Sequence, residues 1–349
     1  MELQKEFHTQ TQESKARPKV AIIVLNWNGW RDTIECLESI GKITYPNYEV
    51  ILVDNGSVDN SVTRISEWIM SGSEYWGGVR ETSGEIAPAF LSGVTFVLRR
   101  ERLILVHSKE NLGFAGGCNL AIRIGLNDPS IEYFYLLNND AHLTPQSLDE
   151  LISIATSAKA DIAGSVIWEH PSSGPIFAGS ASLAELIWPT PIRLFFRLHA
   201  KKGLVLHVSM VPGSAMLLTR RLVELRLASK GYLFNPLLFL YGEELDLCLW
   251  AKNSGFRSII ALRSIVYHHR GPDELQKTTR AQYYLARNLM LVGAIHLPLL
   301  LKYPFFAWHF LFRLLLALRW LLRRKYGIAK CIIQGLRDAI MELALQELL

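Results

Sequence analysis

Four short apolar runs, each ending in a cluster of Asn, Asp or Gly, constrain this chain more than any other feature. They fall at residues 20–25 (VAIIVL), 50–53, 103–106 and 133–137. Their apolar residues are continuous instead of alternating, which is the pattern of strands buried on both faces, as in a parallel sheet covered by helices. Helical patterns separate them: Ile34, Leu37 and Ile40; then Val62, Ile65 and Ile69; then 113–125. Ser57 is expected to cap the second of these helices. Thr144-Pro145 is expected to open a fourth, with Pro at its first position.

From Asp161 the pattern changes to shorter strands at 162–167, 208–218 and 258–262, with a short helix after Glu243. Residues 71–100 read as an insertion. Residues 183–202, with Trp188, Phe195 and Phe196, read as a loop near an acceptor or a membrane. The chain is helical from Thr278 onward. The expected fold class is α/β: a mostly parallel sheet with helices on both faces, followed by C-terminal amphipathic helices. The expected divisions are a disordered tail at 1–18, a catalytic unit at 19–277 (nucleotide-binding half 19–158, acceptor half 159–277), and a helical membrane-associating region at 278–349.

The polar ends of the strands are where an open parallel sheet binds ligands. Asn26-Trp27-Asn28-Gly29 follows the first run and Asp54-Asn55-Gly56-Ser57 the second. A stretch from Lys109 through Asn111 and Gly113 to Gly117 follows the third and leads into a helix carrying Asn119. Asn138-Asn139-Asp140 follows the fourth. Turn formation accounts for any one of these clusters. Four along one edge point to a nucleotide pocket. There Asp54 can accept hydrogen bonds from a base or ribose, and the Gly-rich turn can let backbone amides approach a phosphate. A diphosphate also calls for Mg²⁺ or Mn²⁺, held by few carboxylates, with Asp140 the candidate.

Tyr241-Gly242-Glu243-Glu244-Leu245-Asp246 adds three carboxylates within four positions. Stabilising a helix N-terminus explains one or two of them. Crowded acids in an apolar setting also have raised pKa values, as deprotonation of an acceptor hydroxyl requires. His268-His269 closes the last expected strand; a structural role is the commoner one for such a histidine.

These stretches resemble family 2 glycosyltransferases, in particular the rhamnosyltransferase-like branch. The resemblance is carried by VAIIVLNWNG, EVILVDNGSVDNS, ENLGFAGGCNLAI, YLLNNDAHLTPQSL, VPGSAMLLTR, FLYGEELDLCLWAKNSGF, VYHHRG and YYLARNLM, in the family's order. It implies the GT-A fold and an inverting transfer from a nucleotide sugar. Asn26 and Asn28 would line the donor pocket, Asp54 would hold the nucleoside, and Asn111 and Asn119 would frame the same pocket. Asp140 stands at the family's Asp-x-Asp as metal ligand, with His268 a second. Glu244 stands as the general base. Asn138 replaces the first carboxylate of that motif and brings no charge, and Trp250 stands where an Arg often follows. The Gln-x-x-Arg-Trp signature of processive synthases is absent, so one sugar per encounter is expected. The resemblance extends to a saccharide or lipid-linked acceptor.

Charge places the molecule. Residues 275–337 hold eleven Lys and Arg and no Asp or Glu, leaving 26 basic against 32 acidic residues elsewhere. A basic, apolar segment on a mildly acidic body fits an anionic membrane surface and no nucleic acid. The longest uncharged runs there are too short to span a bilayer. A helix lying in the interface, with Lys302, Arg313, Arg319, Arg323 and Arg324 snorkelling, is expected instead. The four cysteines are scattered, which fits a reducing compartment, and hence the cytoplasmic face. Two other readings compete. A sugar nucleotidyltransferase would carry a basic Gly-rich loop after its first strand, where this chain has Asn-Trp-Asn-Gly. A catalytically decayed nucleotide-sugar-binding scaffold would explain Asn138 but not the intact acid cluster.

Overall fold

The computed structural model describes residues 17–72, 75–77, 93–169, 175–177, 204–268 and 278–347. The expected tail up to residue 16, most of the expected insertion, the loop at 183–202 and His269 lie outside the described residues.

The N-terminal half runs β1 (Lys19–Asn26), α1 (Trp30–Gly41), β2 (Tyr48–Asp54), α2 (Ser61–Met70), β3 (Val94–Arg99), β4 (Leu103–Ser108), α3 (Gly113–Gly125), β5 (Ile131–Asn138), β6 (Ala141–Leu143) and α4 (Ser147–Ala158). It continues through β7 (Ile162–Trp168), β8 (Pro175–Phe177), β9 (Val205–His207), β10 (Ala215–Thr219), α5 (Arg220–Lys230), α6 (Glu243–Asn253) and β11 (Ser258–His268). Three helices follow: α7 (Thr279–His296), α8 (Leu299–Leu322) and α9 (Tyr326–Glu347).

The strands form one sheet in the order β3-β4-β2-β1-β5-β10-β7-β11-β6, with β8 on β7 and β9 on β11. Strands β4, β2, β1 and β5 are mutually parallel, as their continuous apolar runs require. Strand β10 is antiparallel to both β5 and β7 and joins the two halves. Each face of the sheet carries its own core. One packs Leu37, Ile40, Ile65 and Leu151 against alternate strand residues; the other packs Cys118, Ile122, Val223 and Leu247 against the rest.

Local expectations shifted at three points. Ser57 does not cap α2, which begins at Ser61 after Asn60; its hydroxyl bonds Asp54 instead. Thr144 does not cap α4, which begins at Ser147, and its hydroxyl reaches the Ile265 carbonyl. Residues 208–214 form a loop, because Pro212 and Gly213 break the run before β10.

The C-terminal helices differ more. Lys302 and Pro304 fall in the first turns of α8, so the helix continues unbroken for 24 residues. By length and composition it is the one described helix able to cross a membrane. Arg313 does not snorkel. It is buried, donating to Gln282 Oε1 and the Leu285 carbonyl of α7, and His309 contacts the Ala286 carbonyl beside it. The leucines face outward: Leu300 is 88% exposed and Leu322 79%. In its middle the helix therefore turns His309 and Arg313 inward, while Leu311, Leu314, Leu315 and Leu318 face the surroundings.

Candidate active site

The carboxyl-end rim of β1, β2, β4 and β5 contains two kinds of polar residue. The first kind is buried and holds the rim together. Asp54, fully buried, accepts from Asn26 Nδ2 at 2.6 Å, Ser57 Oγ at 2.7 Å and Ser57 N at 3.0 Å, and its Oδ1 lies 2.8 Å from His107 Nδ1. Asn26, also fully buried, accepts from Thr33 Oγ1 and Gly29 N through its carbonyl oxygen. This polar knot ties three strand ends and α1 together. It satisfies groups that burial would otherwise leave costly.

Asn55, Asn119 and the Gly-rich turn also brace the backbone around the expected donor pocket. Asn55 Oδ1 accepts from Leu112 N at 3.0 Å, and its Nδ2 donates to the Gly113 carbonyl at 2.9 Å. Asn111 Oδ1 accepts from Gly113 N, and the Phe239 carbonyl accepts from Ala115 N. The amides of Leu112, Gly113 and Ala115 at the start of α3 are thus occupied by protein oxygens. Asn119 fixes the chain at Leu233 and Phe234 through three hydrogen bonds.

The second kind is less buried: Trp27, Asn28 and Lys109 are exposed at the rim, and Asn138, Asn139 and Asp140 half-buried. Asn28 has φ 54° and uses its side-chain oxygen to accept from Val58 N. Asn139 Nδ2 donates to Thr33 Oγ1. Asn138 and Asp140 meet His268 from the distant end of β11. His268 Nε2 lies 3.1 Å from Asp140 Oδ1 and 3.2 Å from Asn138 Nδ2. One carboxylate, one imidazole and one amide suit a divalent cation that draws its remaining ligands from a diphosphate and water. Among the described residues no three acidic, imidazole or thiol groups converge as a closed metal site.

The acid cluster opens α6 and splits between two environments. Glu243 and Glu244 each have a buried Oε2 with no hydrogen-bond partner. Burial, reinforced by Glu244, pushes the Glu243 carboxyl well above the ordinary range. Burial also raises Glu244, with backbone amides at Glu244 and Gly242 pulling it partly back. Asp246 does not join them. Its carboxylate is ion-paired with buried Arg226 and lies 2.7 Å from His296 Nε2. Two positions along a helix turn a side chain by about 200°, so Asp246 and Glu244 face opposite ways.

The cluster and the rim are neighbours. Asn138 N donates to the Ser214 carbonyl at 3.1 Å, and a Cβ added to adjacent Gly213 would meet Glu244 Cβ at 3.9 Å. Glu244 and Asn138 thus flank the same short loop before β10. Across the gap, the Arg280 guanidinium of α7 stacks over Trp27 at 4.7 Å and Phe239 at 5.6 Å. Arg280, His107 and Thr33 also belong to this rim, with little in the local sequence to mark them. The aromatic faces of Trp27 and Phe239, each close to a Gly, were the available signal for the first.

Residues 21–224 match the family described as Glycosyl transferase family 2. Glycosyltransferase GlyG of Streptococcus pneumoniae serotype 4 is 26% identical over 143 residues, 41% of this chain and 37% of GlyG. The low-salt glycan biosynthesis hexosyltransferase Agl10 of Haloferax volcanii is 25% identical over 196 residues, 54% of this chain and 59% of Agl10. The aligned regions thus span 37% and 59% of the lengths of these two relatives. Among solved structures, mannosyltransferase PcManGT from Pyrobaculum calidifontis, in complex with GDP-Man and Mn²⁺, superposes with a TM-score of 0.55. That alignment covers 94% of this chain and 88% of PcManGT at 15% identity, a likeness of fold and the GT-A arrangement. With the family match covering more than half its length, the chain belongs to glycosyl transferase family 2.

Proposed function

We propose that this protein is an inverting glycosyltransferase that moves one hexosyl or deoxyhexosyl group from a nucleotide-diphosphate sugar to a hydroxyl of a saccharide acceptor. The observation that carries this reading is the buried Glu243-Glu244 pair, each with an unpartnered oxygen, beside the Asn138-Asp140-His268 cluster. Asp140 and His268 would hold Mg²⁺ or Mn²⁺. When bound, the cation offsets charge on the departing diphosphate. Glu244 accepts the acceptor's hydroxyl proton as that oxygen bonds to the anomeric carbon and the bond to the diphosphate oxygen breaks. Glu243 beside it, raised by burial and by the Glu244 charge, disfavours two charges on the pair. Trp27, Asn28, Lys109 and Asn139 lie where the nucleotide would rest.

Residues 19–277 act as the catalytic unit and 278–349 as the membrane-associating one. The outward leucines of α8 and the basic residues at its end support attachment to the cytoplasmic face of a membrane, with a lipid-linked acceptor brought to the site there.

Purified protein with Mg²⁺ or Mn²⁺ and a panel of nucleotide sugars tests the reading. Metal-dependent cleavage of one donor, absent in Glu244→Gln, is the expected result. Donor binding without cleavage, with lipid and detergent present, favours the catalytically decayed scaffold.

A further inference from the structure

The segment YYLARNLM, matched in sequence but given no task, lies on α7, in the helical region. There Asn288 and Arg287 are turned toward the chain just ahead of the acid pair. Asn288 is fully buried, and its Nδ2 lies 2.7 Å from the Leu238 carbonyl, 2.9 Å from that of Leu240 and 2.6 Å from that of Tyr241. Arg287 Nη1 donates to the Leu237 carbonyl at 3.0 Å and to Asn288 Oδ1 at 3.0 Å, which fixes the amide's orientation. Four carbonyls of one five-residue stretch are thereby held from a single turn of a helix about fifty residues later.

That stretch needs holding. Phe239 has φ 60° and ψ −56°, and Leu240 N donates to the Leu238 carbonyl at 2.6 Å, which together make a γ-turn of the rare, strained kind. Tyr241 at φ 64° and Gly242 at φ 102° follow directly. Strained backbone of this sort persists only where its surroundings over-determine it. The turn also delivers the Phe239 carbonyl to Ala115 N of α3 and leads straight into Glu243 and Glu244.

We propose that Asn288, oriented by Arg287, is a positioning residue that holds the Leu238-Phe239-Leu240-Tyr241 turn in its strained form and so sets Glu243 and Glu244 at the reacting centre. This rests on the glycosyltransferase reading above for its kinetic consequence, but not for its structural one.

The test uses the full chain as wild type, Asn288→Ala and Glu244→Gln, with two readouts. The first is donor turnover across pH with acceptor present. A catalytic group displaced by an ångström loses about 100-fold in rate. Asn288→Ala is therefore expected to lose kcat on that scale with donor KM unchanged. The acid limb of its profile should move to lower pH as water reaches the pair and relieves its burial. The second readout is carboxyl titration of Glu243 and Glu244 by carbon-13 NMR, which needs no activity. In Asn288→Ala both carboxyls should titrate closer to the ordinary range.

An unmoved pH limb and unmoved carboxyl titration in a folded Asn288→Ala protein overturn the proposal, even if its thermal midpoint falls. Wild type without transfer on any donor refutes the glycosyltransferase reading alone, and the titration still decides the clamp. Arg287→Met, which removes the Nη1 that donates to both the Leu237 carbonyl and Asn288 Oδ1, serves if Asn288→Ala fails to fold. The same directions are expected at smaller size, and titration unchanged from wild type in that variant overturns the proposal.

Discussion

His296 Nε2, in the last turn of α7, lies 2.7 Å from Asp246 Oδ1 on α6, and Arg226 of α5 ion-pairs with the other carboxylate oxygen. Arg226 is further enclosed by the rings of Tyr232 and Trp250 at 5.3 and 5.0 Å. Removing one member of such a pair strands a buried charge.

Asp246→Ala is therefore expected to destabilise the fold by about 3–5 kcal/mol, the range for breaking a buried pair. Denaturant unfolding measures it. Asp246→Asn that still folds should retain donor binding, since the carboxylate faces away from Glu244.

Asp140 and His268 should act together on the cation. Each single alanine variant is expected to raise the Mn²⁺ concentration for half-maximal activity by at least the roughly 10-fold that loss of even a supporting group costs. The double variant should add little to either, because the site fails once one ligand is gone. Metal titration of donor cleavage gives the comparison, and additive losses would separate the two residues.

The Glu243-Glu244 pair should make activity and stability respond oppositely to pH. Both carboxyls are raised by burial above an ordinary value of 4.5. A raised carboxyl binds more proton folded than unfolded in the window above that value, so stability is fully present below it and declines as pH rises through the folded pKa. Activity needs the ionised base and rises over the same window. A tenfold difference in proton affinity between the folded and unfolded chain corresponds to about 1.4 kcal/mol. A Glu243→Gln, Glu244→Gln double variant should be inactive, more stable at neutral pH, and free of that decline in unfolding measurements.

Gly113 should not accept a side chain. It has φ +70°, and a Cβ there would sit 2.3 Å from the Phe239 carbonyl oxygen. Gly113→Ala is expected to cost at least about 1–3 kcal/mol in strain and to loosen the Phe239 turn. Thermal unfolding with a donor-turnover assay would register both, and a loss in neither would mean the backbone has an easy way to shift.

The outward face of α8 should govern membrane attachment. Leu311, Leu315 and Leu318 are 58, 57 and 51% exposed. Replacing the three with Glu removes on the order of 1.5–3 kcal/mol of apolar transfer per side chain. Flotation with vesicles containing anionic lipid should show binding lost while the unfolding transition is retained.

How far the sequence could be read follows from what each residue type encodes. The parallel strands were legible because continuous apolar runs have one good solution, and the convergence of Asp140 with His268 followed the family's order. The asparagines were not separable. Asn26, Asn55 and Asn119 are buried, while Asn28 is exposed and Asn138 and Asn139 are half-buried on the rim; all six make hydrogen bonds, and only burial distinguishes the two sets. Asp246 was within reach, since helical rotation alone turns it from Glu244. The burial of Arg313 is not encoded locally, because a helical wheel gives the direction of a stripe without saying which side faces α7. Nothing local in YYLARNLM points to a turn fifty residues earlier.

That separation has a consequence for synthesis. The strands of the sheet are complete at His268, yet the amide that holds the turn before Glu243 arrives twenty residues later, followed by the His296 partner of Asp246. A nascent chain that has emerged only through β11 would carry the acids of the site without the support that sets them. The catalytic turn can be locked only after α7 has been made.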